Sequence, residues 1–178
     1  VQNLEEVFVY SKATTYSNNE ISESMVLQNS PITSINNLID NLPGVSVNEG
    51  DAFGFDDWST SIAIRGFQTN LGEQQVGSTI DGLPNGNSNY GGGSKANRYI
   101  DTANLGSIQV NQGTADIASN SLEALGGTIN YLTADPEMEQ RVRVQYVTGQ
   151  FDAERYYVRY DSGMMANDSR FWVSLSHQ

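Results

Sequence analysis

This 178-residue chain is poor in histidine and cysteine, two residue types that serve as nucleophiles, catalytic bases or metal ligands in enzymes. Histidine occurs once, as His177, and cysteine is absent. The chain therefore lacks the Ser–His pairs and the His or Cys clusters of hydrolases and zinc sites. In residues 91–95 serine precedes the lysine and alanine follows it, unlike a phosphate-binding loop. The acidic stretch 51–57 lacks the ligand spacing of a calcium loop. We predict a protein that is not an enzyme and has no cofactor and no bound metal.

Two long polar loops, residues 48–60 and 85–99, carry the side chains best suited to binding. Their aromatic rings offer stacking faces and their amides and carboxylates offer hydrogen bonds, a mixture that suits a polar small molecule. Any single ring is more simply explained as packing its loop against the protein, whereas the two loops together favour a binding surface. The predicted ligand-binding residues are Asp51, Phe53, Phe55, Asp56, Asp57, Trp58, Asn85, Asn87, Asn89, Tyr90, Lys95, Arg98 and Tyr99.

The overall charge restricts the possible partners. Lys and Arg number 9 against 21 Asp and Glu, which gives a net charge of −12. Such a chain repels phosphate backbones, so we predict no nucleic-acid partner. The lack of cysteine fits either a reducing cytosol or an envelope protein. No leader opens the sequence and no apolar run approaches the roughly 20 residues of a membrane-spanning helix, so we expect any membrane contact to be made by strands.

Short strands and a few helices must position these loops. Apolar spacing predicts a weak helix over residues 21–29 and a second helix from Ser30 through Asn41, ended by Leu42-Pro43-Gly44. The Asp81-Gly82 pair predicts a turn. Strands are predicted at residues 45–47, 61–66, 76–80, 105–110 and 128–132, the second of them ending at Gly66.

The last third of the chain contains three runs in which apolar and polar residues alternate strictly. The first centres on Val144, the second on Val158 and the third on Val173. A strand exposes alternate residues on opposite sides, so each run has one apolar face and one polar face. This pattern is typical of transmembrane barrel strands, which have lipid outside and a wet lumen inside.

Five motifs resemble, in order, the plug domain of TonB-dependent outer-membrane receptors. They are Leu42–Val47, Ile64–Phe67, Ile80–Pro84, Ile108–Gly113 and Ala124–Tyr131. One departure lies at residues 111–114, where the family often has Arg-Gly-Pro and this chain has Asn-Gln-Gly-Thr, so the local turn and its ion pairing are expected to differ.

The resemblance implies an α+β plug domain, with a small mixed β-sheet and short helices, over residues 1–136. Residues 137–178 would be the first antiparallel strands of a transmembrane β-barrel, which has 22 strands in the family. Arg65 would be structural and would bond carbonyls or a carboxylate. The remaining cations of interest would face the lumen and form wet, individually modest pairs with the acidic plug. They are Arg141, Arg143, Arg155 and Arg159.

The N-terminal run resembles the family's TonB box, which joins the edge of a partner's sheet as an added strand. Its residues are Glu5, Glu6, Val7, Phe8, Val9 and Tyr10. The alternative is an ordinary first strand of the domain.

The resemblance implies an active transport receptor in the outer membrane of a Gram-negative bacterium. Its expected partners are TonB with the energising inner-membrane complex, the rest of its own barrel, outer-membrane lipid and a small-molecule nutrient. A ferric siderophore, cobalamin and an oligosaccharide all fit the family. The rival hypothesis is a free-standing secreted or periplasmic β-rich module that binds carbohydrate or acts as an adhesin. It would leave the apolar faces of the last three runs uncovered.

Overall fold

The structure, a computed structural model, describes residues 18–51, 53–56, 58–85, 95–113, 121, 123–150 and 153–178. Its strands form a five-stranded sheet and two three-stranded sheets. The first two sheets, with the short helices, make up the N-terminal body, within residues 18–136. The third sheet is called the C-terminal sheet. Within the described ranges no helix is long and apolar enough to cross a membrane.

The five-stranded sheet is mixed. In chain order its strands are β1 (Asn18–Ile21), β5 (Gly77–Ile80), β6 (Leu83–Pro84), β7 (Leu105–Gln112) and β8 (Gly127–Thr133). Their spatial order is β1-β7-β8-β5-β6, and only β5 and β8 pair in parallel. β7 and β8 lie inside the sheet, which explains why Ile108, Val110 and Ile129 are all buried.

The second sheet has the order β2-β3-β4, formed by β2 (Val45–Asn48), β3 (Ser61–Ile64) and β4 (Phe67–Thr69). The strand predicted from Ser61 to Gly66 is present but shorter, because β3 ends at Ile64 and the chain reverses at Arg65-Gly66. Both residues have positive φ, 50° and 90°, the signature of a two-residue hairpin turn. The Asp81-Gly82 turn is confirmed, with φ of 47° and 78°.

The helical segments are shorter than predicted. The first helix is α1 (Glu23–Gln28), inside the predicted range. The second prediction was wrong in extent, because the structure has only a 3-10 helix, η1 (Asn37–Asn41), after a series of turns. The Ser34 hydroxyl accepts a hydrogen bond from the backbone N–H of Asn36 at 3.2 Å, which competes with helical bonding at that point. Two further 3-10 turns, η2 (Ala96–Arg98) and η3 (Thr102–Asn104), precede β7.

One apolar core lies inside the N-terminal body. It joins residues of α1, η1, the second sheet and the five-stranded sheet, and Val26, Leu38, Ile64 and Ile108 represent these four sources. The apolar residues that motivated the second helix prediction, Ile35 among them, are buried in this core although the helix is short. The spacing of apolar residues therefore predicted which face of this segment is buried, but it did not predict the backbone conformation.

The C-terminal sheet consists of β9 (Gln140–Thr148), β10 (Glu154–Ser162) and β11 (Trp172–His177), all antiparallel with β10 in the middle. A sheet on the surface of a soluble protein usually buries its apolar face and exposes its polar face, and here the arrangement is reversed. Val144 and Leu175 are 71% and 76% exposed, whereas Arg159 on the opposite face is 1% exposed. The polar face packs against the N-terminal body, and the apolar face is open.

Candidate functional site

The first loop is organised by its own carboxylates. The Asp51 side chain accepts hydrogen bonds from the backbone N–H groups of Phe53, at 2.6 Å, and Asp56. The Asp56 side chain in turn accepts from the backbone N–H of Ser59, at 3.2 Å, and from its hydroxyl. Two predicted ligand-binding carboxylates are thus engaged in shaping the loop that displays the rings.

The acidity of both carboxyl groups follows from these bonds. Burial alone would raise the pKa of Asp51, but the N–H donors of Asp56, Phe53, Phe55 and Gly54 outweigh burial, so the pKa is lowered. The hydroxyl and backbone N–H of Ser59 lower the pKa of Asp56. Both groups therefore carry negative charge at neutral pH.

The loop presents three aromatic side chains. Phe55 and Trp58 are 67% and 59% exposed, while Phe53 is half-buried with its ring centroid 6.3 Å from that of Phe55. Phe53 and Phe55 line two cavities, of about 300 and 280 Å³, between this loop and the C-terminal sheet. Tyr156 lines the first cavity and Arg155 the second. The cavities give rings and hydrogen-bonding groups in one place, as small-molecule sites require.

Two exposed side chains are found among the residues of the second loop that the structure describes, Asn85 and residues 95–99. Arg98 and Tyr99 are exposed at the end of η2. Asn85 and Lys95 are buried, and the backbone N–H of Asn85 donates to the Ser78 carbonyl at 2.9 Å. The remaining predicted ligand-binding residues lie outside the described residues. They are Asp57, Asn87, Asn89 and Tyr90.

Sequence reasoning missed two asparagines, the buried Asn36 and the half-buried Asn97, that connect the loops. Asn97, in η2, donates its side-chain amide to the Gly54 carbonyl of the first loop at 2.6 Å, and its side-chain oxygen accepts from Asn36 at 3.0 Å. Asn36 is fully buried. Neither residue belongs to a motif, and a single asparagine in the sequence gives no signal for such a role.

The contact between the N-terminal body and the C-terminal sheet is polar and buried. Arg155 pairs with Asp101 at 2.5 Å, and the Tyr157 hydroxyl donates to the Asn104 side chain at 2.7 Å. Arg159 donates to the Asp135 carbonyl at 3.0 Å.

The prediction of wet arginine pairs was wrong for two of the four arginines. Arg155 and Arg159 are buried, and Arg159 pairs with Asp161 of its own strand at 2.7 Å. Arg141 and Arg143 do form solvent-accessible pairs, at 3.0 and 3.6 Å, but their partner is Glu137, which lies outside the predicted plug of residues 1–136. The two buried side chains lie on the middle strand of the C-terminal sheet, where the body covers them.

Arg65 has a structural role with a different partner from the one expected. Its Nε donates to the side-chain oxygen of Gln112 at 3.1 Å, and Gln112 donates to the Pro43 carbonyl at 2.6 Å. The Arg65 backbone N–H donates to the Gly44 carbonyl at 2.9 Å. Residues 111–114, where this chain departs from the family pattern, thus provide the side-chain amide of Gln112 as the partner of Arg65, in place of an ion pair.

The residues that the structure describes contain no group of three or more His, Cys, Asp or Glu side chains arranged to hold a metal. A family model, the TonB-dependent receptor plug domain, matches residues 11–128. The chain belongs to this family. A comparison with curated protein sequences finds no match.

Solved receptors share the fold of this plug-domain chain. The ferric yersiniabactin uptake receptor FyuA from Yersinia pestis has a TM-score of 0.65 at 20% identity, over 91% of this chain and 24% of that one. The ferripyoverdine receptor of the outer membrane of Pseudomonas aeruginosa has a TM-score of 0.66 at 18% identity, over 94% and 21%. The alcaligin outer-membrane receptor FauA from Bordetella pertussis gives 0.61 at 18%, over 93% and 27%. The chain thus spans about a quarter of their length.

The plug-domain motifs have visible structural roles. Asp81, at the Ile80–Pro84 motif, accepts hydrogen bonds from the backbone N–H and hydroxyl of Thr133, at 2.8 and 2.9 Å. Its own N–H donates to the Tyr131 carbonyl at 2.9 Å. The turn is thereby fastened to the end of β8. At Gly127, a Cβ would lie 2.0 Å from the Asn111 carbonyl oxygen, so only glycine fits there.

Proposed function

We propose that this chain is the front part of a TonB-dependent transport receptor of the outer membrane of a Gram-negative bacterium. Residues 1–136 form the plug, and residues 137–178 form the first strands of the barrel around it. The carrying observation is the reversed polarity of the C-terminal sheet, in which Arg155 and Arg159 are buried on the side of the plug and the apolar side chains of the opposite face are open. A sheet of this kind is stable where lipid covers its outer face.

The open face of the C-terminal sheet supports this orientation. Aromatic rings occupy both of its ends. Tyr146 and Tyr156 lie 4.9 Å apart at one end, and Tyr160 and Phe171 lie 6.2 Å apart at the other. Barrel proteins carry aromatic residues near both membrane interfaces. Valine and leucine side chains fill the surface between the two ends, among them Val144.

The two loops provide the proposed ligand surface. Exposed rings of the first loop and Arg98 and Tyr99 of the second would contact a polar nutrient with flat groups. The similar receptors are described as taking up ferric yersiniabactin or binding ferripyoverdine, which makes a ferric siderophore the substrate class to test first. Cobalamin and oligosaccharides are the other outcomes of that test.

Residues 5–10 are the proposed TonB-binding segment and lie outside the described residues. β1, which begins at Asn18, is an edge strand of the five-stranded sheet. We infer that TonB pairs with residues 5–10 through main-chain hydrogen bonds and that pulling on them opens the plug.

Replacing Val7 by proline tests this mechanism in cells. Proline removes a main-chain donor, so Val7→Pro should abolish uptake of a radioactive ferric siderophore and leave its binding to cells unchanged. Val7→Ala, which keeps the N–H, is the matched control and should transport normally. Uptake by the proline variant would count against the TonB-binding segment. If neither variant nor wild type binds any siderophore, the substrate class is wrong.

A further inference from the structure

A chain of side-chain hydrogen bonds runs from the middle of the five-stranded sheet to the first loop. The Tyr131 hydroxyl, on β8, donates to the side-chain oxygen of Asn36 at 3.3 Å. Asn36 donates to Asn97 at 3.0 Å, and Asn97 donates to the Gly54 carbonyl at 2.6 Å. Each donor points toward the loop, an arrangement in which neighbouring hydrogen bonds polarise one another.

The groups in this series of hydrogen bonds have few alternative partners. Asn36 and Tyr131 are 0% and 1% exposed, so a broken link leaves a polar group that water does not reach. Burial, followed by the negative charge of Glu49, raises the pKa of Tyr131, so its hydroxyl keeps the proton that it donates. Tyr131 therefore acts as a donor throughout the physiological pH range.

Gly54 is held closely as well as bonded. Its φ is +79°, and a Cβ would lie 2.6 Å from the Cβ of Ser34. The loop backbone therefore contacts the segment that carries Asn36, while Asn97 holds the Gly54 carbonyl from the other side. Asn97 stands at the end of the second loop, so it is the point at which both loops meet the buried chain.

We propose that Asn97 is a positioning residue that couples the two loops to each other and, through Asn36, to Tyr131 in the central sheet. Movement of Gly54 changes the bond to Asn97, and the change reaches both the second loop and β8. The meaning of this coupling for transport depends on the proposed function, because only then do the loops bind a nutrient. The coupling itself is a property of the protein without any ligand.

Hydrogen exchange of the full-length protein in detergent, with no ligand added, tests the proposal. Asn97→Ala should speed exchange of the amides of residues 53–56 about two- to tenfold, the effect of losing one net hydrogen bond. Asn97→Asp keeps the acceptor for Asn36 and loses the donor to Gly54, so it should speed the same amides to a similar extent. Tyr131→Phe removes only the far end of the chain and should speed them at least about twofold.

Asn104→Ala is the matched control, because Asn104 is another asparagine in a 3-10 turn, and its side chain bonds Tyr157 and Ser174 instead of the first loop. It should leave exchange of residues 53–56 unchanged. An equal acceleration by this variant would overturn the proposal, since general loosening would then explain the result. Unchanged exchange in Tyr131→Phe would overturn the link to the central sheet. Because the assay contains no ligand, its result is independent of whether uptake occurs.

Discussion

Neutralising Asp101 should loosen the contact between the plug and the C-terminal sheet far more than loss of a surface ion pair does. The Arg155 and Asp101 side chains are 5% and 16% exposed and lie 2.5 Å apart. In Asp101→Asn the side-chain oxygen still accepts from the backbone N–H of Ala103, at 2.8 Å in the parent, so η3 should keep its cap. What changes is the environment of the guanidinium, which stays buried without its counter-charge.

The size of the effect follows from the degree of burial. Breaking a fully buried pair by removing one partner costs about 3–5 kcal/mol. Here Asp101 retains some exposure, and asparagine retains a hydrogen-bond acceptor, so the cost falls nearer the ~1.5–3 kcal/mol of a hydrogen bond to a charged group. We therefore expect the local free energy of opening at residues 101–104 to drop by about 2 kcal/mol.

Native-state hydrogen exchange on the full-length protein in detergent measures this opening. The series is wild type, Asp101→Asn, Arg155→Gln and the double variant, and the cycle should give a coupling energy of about 1.5 kcal/mol. Glu137→Gln is the control, since its partner Arg141 lies at 3.0 Å with side chains 56% and 40% exposed, and it should cost about 0–1 kcal/mol. A cycle that is additive, or a control with an equal cost, would refute the reasoning from burial.

Two further changes probe the backbone and the loop. Gly127→Ala should prevent stable folding, because φ is +128° and the new Cβ meets the Asn111 carbonyl oxygen. Gly82→Ala, with φ of +78° and open space around the new Cβ, should lower the free energy of unfolding by only about 1–2 kcal/mol. Thermal unfolding compares the two variants, and similar losses of stability would contradict this account. Acid should loosen the first loop only below about pH 3.8, the ordinary pKa of Asp51. The pKa of Asp51 is lowered in the folded protein, so its carboxylate contributes stability that is fully present above the ordinary pKa and is lost as pH falls through the folded-state pKa. Faster exchange at residues 53–56 between pH 7 and 5 would contradict that sign, and Asp51→Asn should remove the transition.

The sequence predicted most elements whose signals are local. The Asp81-Gly82 turn follows from the tolerance of both residues for positive φ, and the structure has it. The turn at Arg65 was missed because arginine has no such preference. Its φ of 50° is imposed by the pairing of β3 with β4, and the local sequence does not predict that pairing.

The candidate site was less predictable because its support is polar and long-range. Phe53 and Phe55 were identified from composition, but Asn36 and Asn97, which hold their loop, are 61 residues apart in sequence and meet only in the fold. The same holds for Arg155 and Asp101. Nothing in an alternating strand shows which polar side chains will be buried.

Polar partners also select the register of β10, the middle strand of the C-terminal sheet. A slip of one residue along β10 would turn Arg159 outward and Val158 toward the plug. Hydrophobic burial by itself would favour that slip in water, since it would cover valine and expose arginine. The observed register instead pairs Arg155 with Asp101, Tyr157 with Asn104 and Arg159 with the Asp135 carbonyl. Hydrogen bonds and an ion pair, rather than apolar burial, therefore fix this register, so these contacts between the N-terminal body and the C-terminal sheet are ones that bonds to water can replace.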